Sequence, residues 1–153
     1  MNSINRTLLT MLNNQAVRTS CTFEGLNEEA FTTSPGGDCK SIREIGQHLL
    51  GLRQFKLSLL GSRLVNKADE VESTESLFDL SSKLEAATAR VHDAIMTHDP
   101  DDWYHIPEKP REGPWGEEPT ISRFVRPLND FTNHLGSIRA IRRILGQPAG
   151  RTQ

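Results

Sequence analysis

Five histidines, His48, His92, His98, His105 and His134, are the side chains in this sequence best able to bind a metal or carry a proton near neutral pH. Asp130 stands four residues before His134. On a helix that spacing stacks the two side chains on one face, one turn apart. A carboxylate and an imidazole so placed can grip one ion. His48 follows Ile45 by three residues and precedes Leu52 by four, which predicts the buried face of its segment. From a facing helix it could supply a third ligand. Two imidazoles and one carboxylate on one side of an ion leave positions open for water or substrate. A plainer reading also exists, and on spacing alone it is the commoner one: Asp130 bonds the imidazolium of His134 as a boundary pair.

The other reactive groups weigh less. His92 and His98 read as exposed polar residues, with His98 a reserve ligand. Cys21 and Cys39 form no C-x-x-C pair and read as free thiols. Cys39 precedes a helix start but lies outside its first turn, so the helix should activate it little. Trp103, Tyr104, His105 and Trp115 either line a pocket mouth or plug a loop onto the core. Arg139, Arg142 and Arg143 suit the negative end of a helix dipole. Gly46 and Gly136, each beside a proposed ligand, fit either a close approach around the site or an ordinary helix crossing.

Four amphipathic segments must position these groups. Apolar residues recur at the helical period over roughly 3–24 (Ile4, Leu8, Met11, Leu12, Phe23) and from Ser41 to about Leu64 (Ile42, Ile45, Leu49, Leu52, Leu59). They recur again over about 75–98 (Leu77, Leu80, Leu84, Ala87, Val91, Ala94) and about 120–146 (Ile121, Phe124, Leu128, Phe131, Leu135, Ile138, Ile141, Leu145). Ser41 and Glu44 have capping-box spacing. Thr120 reads as a cap for the last segment, and Gly146 with Pro148 as its stop. Pro127 predicts either a kink or a start near Arg126. Residues 25–40, with Ser34-Pro35-Gly36-Gly37, read as a loop. Residues 99–119 hold five of the eight prolines and read as a long irregular segment, with a turn at Gly113-Pro114-Trp115-Gly116. Residues 66–76 read as a solvated acidic turn. No alternating stretch is long enough for a sheet. The fold class is therefore all-α, with each apolar face buried against the others in a four-helix bundle.

The 153 residues suit one domain, 1–153. A net charge of -2 argues against nucleic acid or an anionic membrane as partner. No apolar run is long enough to span a bilayer, and the start shows no signal-peptide pattern. The expected location is the cytoplasm.

Two stretches resemble a known family. Ser41-Ile42-Arg43-Glu44-Ile45-Gly46-Gln47-His48-Leu49 is similar to the DinB/YfiT-like segment in which a helix opening with Ser ends its second turn in His. Asn129-Asp130-Phe131-Thr132-Asn133-His134-Leu135-Gly136-Ser137-Ile138, followed by Arg142-Arg143-Ile144-Leu145-Gly146-Gln147-Pro148, resembles that family's closing helix. The closing helix usually carries H-x-x-x-H-R-G-Q and ends in R-x-L-G-x-P-like residues. The resemblance covers nearly the whole chain. It implies a four-helix bundle, commonly a homodimer, that binds a divalent metal through three histidines. By position those ligands fall on His48, Asp130 and His134. Asp therefore stands where the family has its middle His, and Leu135 and Ser137 replace the usual Arg and Gln around Gly136. Zinc, nickel, iron and manganese all accept such a carboxylate. The resemblance further implies a thiol S-transferase, in which the ion holds a low-molecular-weight thiol as thiolate for attack on a small electrophile. The alternative it implies is a non-catalytic binding or stress-response module with an empty or degenerate site.

Overall fold

The structure, a computed structural model, describes residues 2–60, 74–106 and 118–148. Over these residues the chain is all-helical. The elements are α1 (Ser3–Phe23), α2 (Glu28–Thr32), α3 (Ile42–Leu59), α4 (Leu77–Thr97), a 3-10 turn (Asp101–Tyr104) and α5 (Thr120–Ile144). The four long helices coincide with the four periodic segments. The Gly113–Gly116 turn, Trp115, residues 61–64 of the second segment and residues 66–73 of the acidic turn lie outside the described residues. Thr74, at the other end of that expected solvated turn, is buried.

Local chemistry starts and stops the helices where it should. Asn2 and Ser76 accept hydrogen bonds from Asn5 N and Asp79 N at 2.8 and 3.0 Å, capping α1 and α4. Ser41 and Glu44 close the predicted capping box on α3, with Ser41 N donating to Glu44 Oε2 at 2.8 Å. The bond from the Ser41 backbone N–H, and then that from its hydroxyl, hold the Glu44 carboxyl below its ordinary pKa. At the end of α5, Gly146 takes φ 67°. Its N–H reaches Arg143 O at 3.1 Å and that of Gln147 reaches Arg142 O at 2.8 Å, which is a Schellman closure.

The helix α5 starts at Thr120 and continues through Pro127, so of the two alternatives the start near Arg126 falls away; the reading of Thr120 as a cap also needs correction. Thr120 is its first residue rather than its cap. The Thr120 hydroxyl and N–H both donate to His105 O, at 3.1 and 3.0 Å, and so tie α5 to the 3-10 turn. Residues 25–40 are also not all loop. Asn27 caps the one-turn α2 by accepting from Ala30 N at 2.8 Å, and α2 buries Phe31 fully.

α3 packs on both α4 and α5, and α1 likewise packs on α4 and α5. α2 lies on α3, and the 3-10 turn on α5. The core has two parts. One gathers Ile45, Leu49, Leu80, Leu84, Phe131 and Leu135. The other gathers Leu8, Leu12, Val91, Trp103, Phe124 and Leu128. Trp103 is the plug of the long connection: it is fully buried, packs edge-on against Phe124 and donates its indole N–H to Asn5 Oδ1 at 2.7 Å. Tyr104 beside it is 66% exposed. No helix among the described residues is long and apolar enough to cross a membrane.

Candidate metal centre

The core sets the rotation of the two helices that carry the site. Ile45 and Leu49 are buried on α3, and Phe131 and Leu135 on α5. His48 precedes Leu49 by one residue, and Asp130 and His134 precede Phe131 and Leu135 by one. One residue is about 100° of helix rotation. Each candidate ligand is therefore turned from the core to the rim of its helix. Because α3 packs directly on α5, the two rims share a seam.

The three side chains meet there. His48 Nε2 lies 3.5 Å from Asp130 Oδ2, and His134 Nε2 lies 3.5 Å from Asp130 Oδ1. The two imidazoles touch edge to face, with centroids 4.6 Å apart and planes at 78°. One ligand atom from each residue falls within 4.8 Å of the other two. Both 3.5 Å separations exceed a good N–H···O bond, about 2.7–3.2 Å. A tetrahedral ion with bonds of about 2.0–2.1 Å sets its ligand atoms about 3.3–3.4 Å apart. The donor set therefore lies close enough to hold one divalent ion, once separations of up to 4.8 Å draw in. It contradicts one expectation: His48 is not on the buried face. The His48, Asp130 and His134 side chains are 45%, 46% and 31% exposed, so solvent reaches all three. The reason is the one-residue rotation above; Leu49, not His48, faces inward.

A cavity of about 890 Å³ opens elsewhere, between α1 and α4, with Phe23, Leu84 and Phe131 among its lining. None of the three candidate ligands lines it.

The remaining histidines stand apart from the site. His98 ends α4, packs its ring 4.3 Å from that of Trp103 and keeps Nε2 buried without a hydrogen bond, so it is not simply exposed. Burial holds its pKa below the ordinary value, against the pull of Asp102 and Asp99. His92 contacts Asp93 at 3.4 Å. Both cysteines are free, Cys39 exposed and Cys21 partly buried. The glycines divide: a Cβ on Gly46 would collide with Leu80, so Gly46 serves the α3–α4 crossing, whereas Gly136 faces open space.

The arginines of α5 do more than answer a dipole. Arg142 is fully buried and donates to Thr22 O and, at 2.9 Å, to Glu24 O, while Arg139 Nε donates to Thr22 Oγ1 at 3.1 Å. Arg142 thereby satisfies carbonyls at the end of α1 that have no partner within the helix, and Arg139 adds a bond to the Thr22 hydroxyl.

The apolar period also missed a polar layer. Arg53 and Lys56 are fully buried on α3, while Leu52 and Leu59, expected there, are only partly buried. Arg53 Nη1 donates to Gln15 Oε1 at 3.0 Å, and its guanidinium lies 4.1 Å over the Phe131 ring. Gln15 in turn donates to Leu128 O and, at 3.1 Å, to Thr132 Oγ1. The available signal was the 49–53–56 spacing, which puts both cations in line with buried Leu49.

No family model matches the chain, and no curated protein matches it.

Proposed function

We propose that this chain is a four-helix bundle of the DinB/YfiT type that holds a divalent ion with His48, Asp130 and His134 and serves as a thiol S-transferase on a small electrophile. The resemblance extends the reading to a cytoplasmic homodimer. The observation that carries the proposal is the convergence of two imidazole nitrogens and one carboxylate within 4.8 Å, from two helices, at a seam open to solvent. Two nitrogens with one carboxylate oxygen suit zinc, nickel, iron or manganese better than calcium. Bound there, such an ion would supply Lewis acidity, lowering the pKa of a thiol and holding it as thiolate. The protein's part is positional. Asp130 turns one oxygen toward each imidazole. The edge contact between His48 and His134 limits their rotation. The exposed side of the seam leaves the approach of a thiol and a second substrate unblocked.

The exposure of all three side chains also favours a second reading, a non-catalytic metal-binding module, because catalysis commonly excludes water from the reacting groups. One series separates the readings. Protein purified without a polyhistidine tag is incubated with zinc, nickel or manganese, desalted and measured by elemental analysis. The proposal expects about one ion per chain, lost in His48→Ala and His134→Ala variants that keep their helical circular dichroism. Metal-dependent consumption of a low-molecular-weight thiol with an aryl halide then supports the transferase. Metal without turnover supports the module. No retained metal overturns both, and leaves Asp130 as a boundary partner of two imidazoles.

A further inference from the structure

Lys56 is a buried cation with no ion pair among the described residues. It stands in the last turn of α3, fully buried, with Nζ lacking any hydrogen-bond partner. One turn earlier Arg53 is equally buried and its Nε is also unpartnered. No carboxylate among the described residues pairs with either. The charges face aromatic rings instead: Phe131 lies 4.1 Å from the Arg53 guanidinium, and Phe124 5.3 Å from Lys56 Nζ. Two like charges one turn apart in an apolar core are unfavourable, and the group able to shed its proton does so. Burial first, and then the Arg53 charge, bring the Lys56 pKa down to about 6. Burial without a hydrogen-bond acceptor and the guanidinium one turn away both favour the free primary amine, a nucleophile, over the ammonium ion.

The site also selects its electrophile. An ionic reagent would have to leave water for a core already holding an unpaired guanidinium. A small uncharged one meets no such barrier. Fraying of the last helical turn would admit such a molecule. We propose that Lys56 is a carboxylation site, whose Nζ adds carbon dioxide to form a carbamate that pairs with the Arg53 guanidinium. In that step the amine lone pair forms the N–C bond, and one C=O π pair moves onto oxygen. An N–H proton then passes to buffer. No oxidant or reductant is needed. The product is an anion one helical turn from a cation, a pairing neither side chain has otherwise. It supplies an acceptor for the unpartnered Arg53 Nε.

The test uses the whole chain equilibrated with isotopically labelled bicarbonate under mildly alkaline conditions. Carbamates are trapped as ethyl esters with triethyloxonium and mapped by mass spectrometry. The proposal expects the label on Lys56, at higher occupancy than on the less buried Lys40 and Lys83. Thermal stability should also rise with carbon dioxide and not with matched chloride or formate. Arg53→Gln should cut Lys56 occupancy about tenfold, the scale of one lost charge-assisted hydrogen bond. Arg53→Met, which also removes the cation, replaces it if the glutamine variant does not fold. Absence of label on Lys56 in the wild-type chain overturns the proposal, as does occupancy unchanged by the Arg53 variant. Equal stabilisation by formate or chloride without covalent label also overturns it, and makes the pair a reversible anion site.

Discussion

Replacing Lys56 with methionine should stabilise this protein, although it removes a buried side chain's polar end. Methionine keeps a flexible apolar stem of similar length and cannot titrate. The gain follows from proton linkage. In the unfolded chain the amine holds its proton up to the usual value of 10.5; in the native fold it gives it up above about 6. Between those values the unfolded state binds one more proton. Stability therefore rises with pH across this window, by up to about 1.4 kcal/mol per unit, and the full penalty applies below it. Near pH 7.5 keeping the native amine neutral costs about 4 kcal/mol, from three pKa units at about 1.36 kcal/mol each. The variant escapes that cost. Urea unfolding of both proteins in carbon-dioxide-free buffer, at several values between about pH 6.5 and 9.5, measures it. Other titrating groups contribute alike to both proteins, so the difference isolates Lys56. The expected difference favours the variant by several kcal/mol at the acid end and shrinks steadily toward the alkaline end. A difference that stays flat with pH, or a variant less stable than wild type near neutrality, would refute the reasoning.

Other expectations follow from single contacts. Gly46→Ala should lower stability by about 1–2 kcal/mol, because its Cβ meets Leu80, which is fully buried. Gly136→Ala, in open space on α5, should instead raise stability by about 0.5–1 kcal/mol; thermal melts of the pair read both signs. Arg142→Leu strands the carbonyls of Thr22 and Glu24 and should cost about 2–4 kcal/mol in urea unfolding. Asp130→Ala should weaken metal binding at least as much as either histidine variant, since Asp130 contacts both imidazoles; competition with a colorimetric chelator reports the loss.

The long helices were legible because each is amphipathic over five turns or more, long enough for the period to show. On α4, Leu80, Leu84, Ala87 and Val91 are buried as the spacing requires. α2 was not legible, since its one turn carries no period and its signal is only Asn27 before two glutamates. Arg53 and Lys56 escaped because a period drawn from apolar residues cannot register a cation inside the stripe. At the site, the i, i+4 relation of Asp130 and His134 came from spacing alone. The meeting with His48 depends on α3 packing on α5, which no local pattern encodes. The exposure of His48 was misjudged for a related reason. Ile45 and Leu52 bracket a face broad enough to include His48, but Leu52 is itself only partly buried, and the inward direction runs through Leu49 and Arg53.

The two unusual features of this protein share a support. Phe131 lies next to Asp130 in sequence, its ring carries the Arg53 guanidinium on one face, and it lines the cavity between α1 and α4. The rotation of α5 at the site is thus set by a ring packed on a buried charge, not by apolar contacts alone. Arg53 is in turn held by Gln15, which also bonds Leu128 O and Thr132 on α5. A buried polar network of this kind has fewer ways to repack than an aliphatic layer, because each donor needs its own acceptor. His48 is exposed, and Asp130 and His134 are half-buried. Their geometry is therefore borrowed from this layer beneath them, which explains how side chains open to solvent can keep one common meeting point.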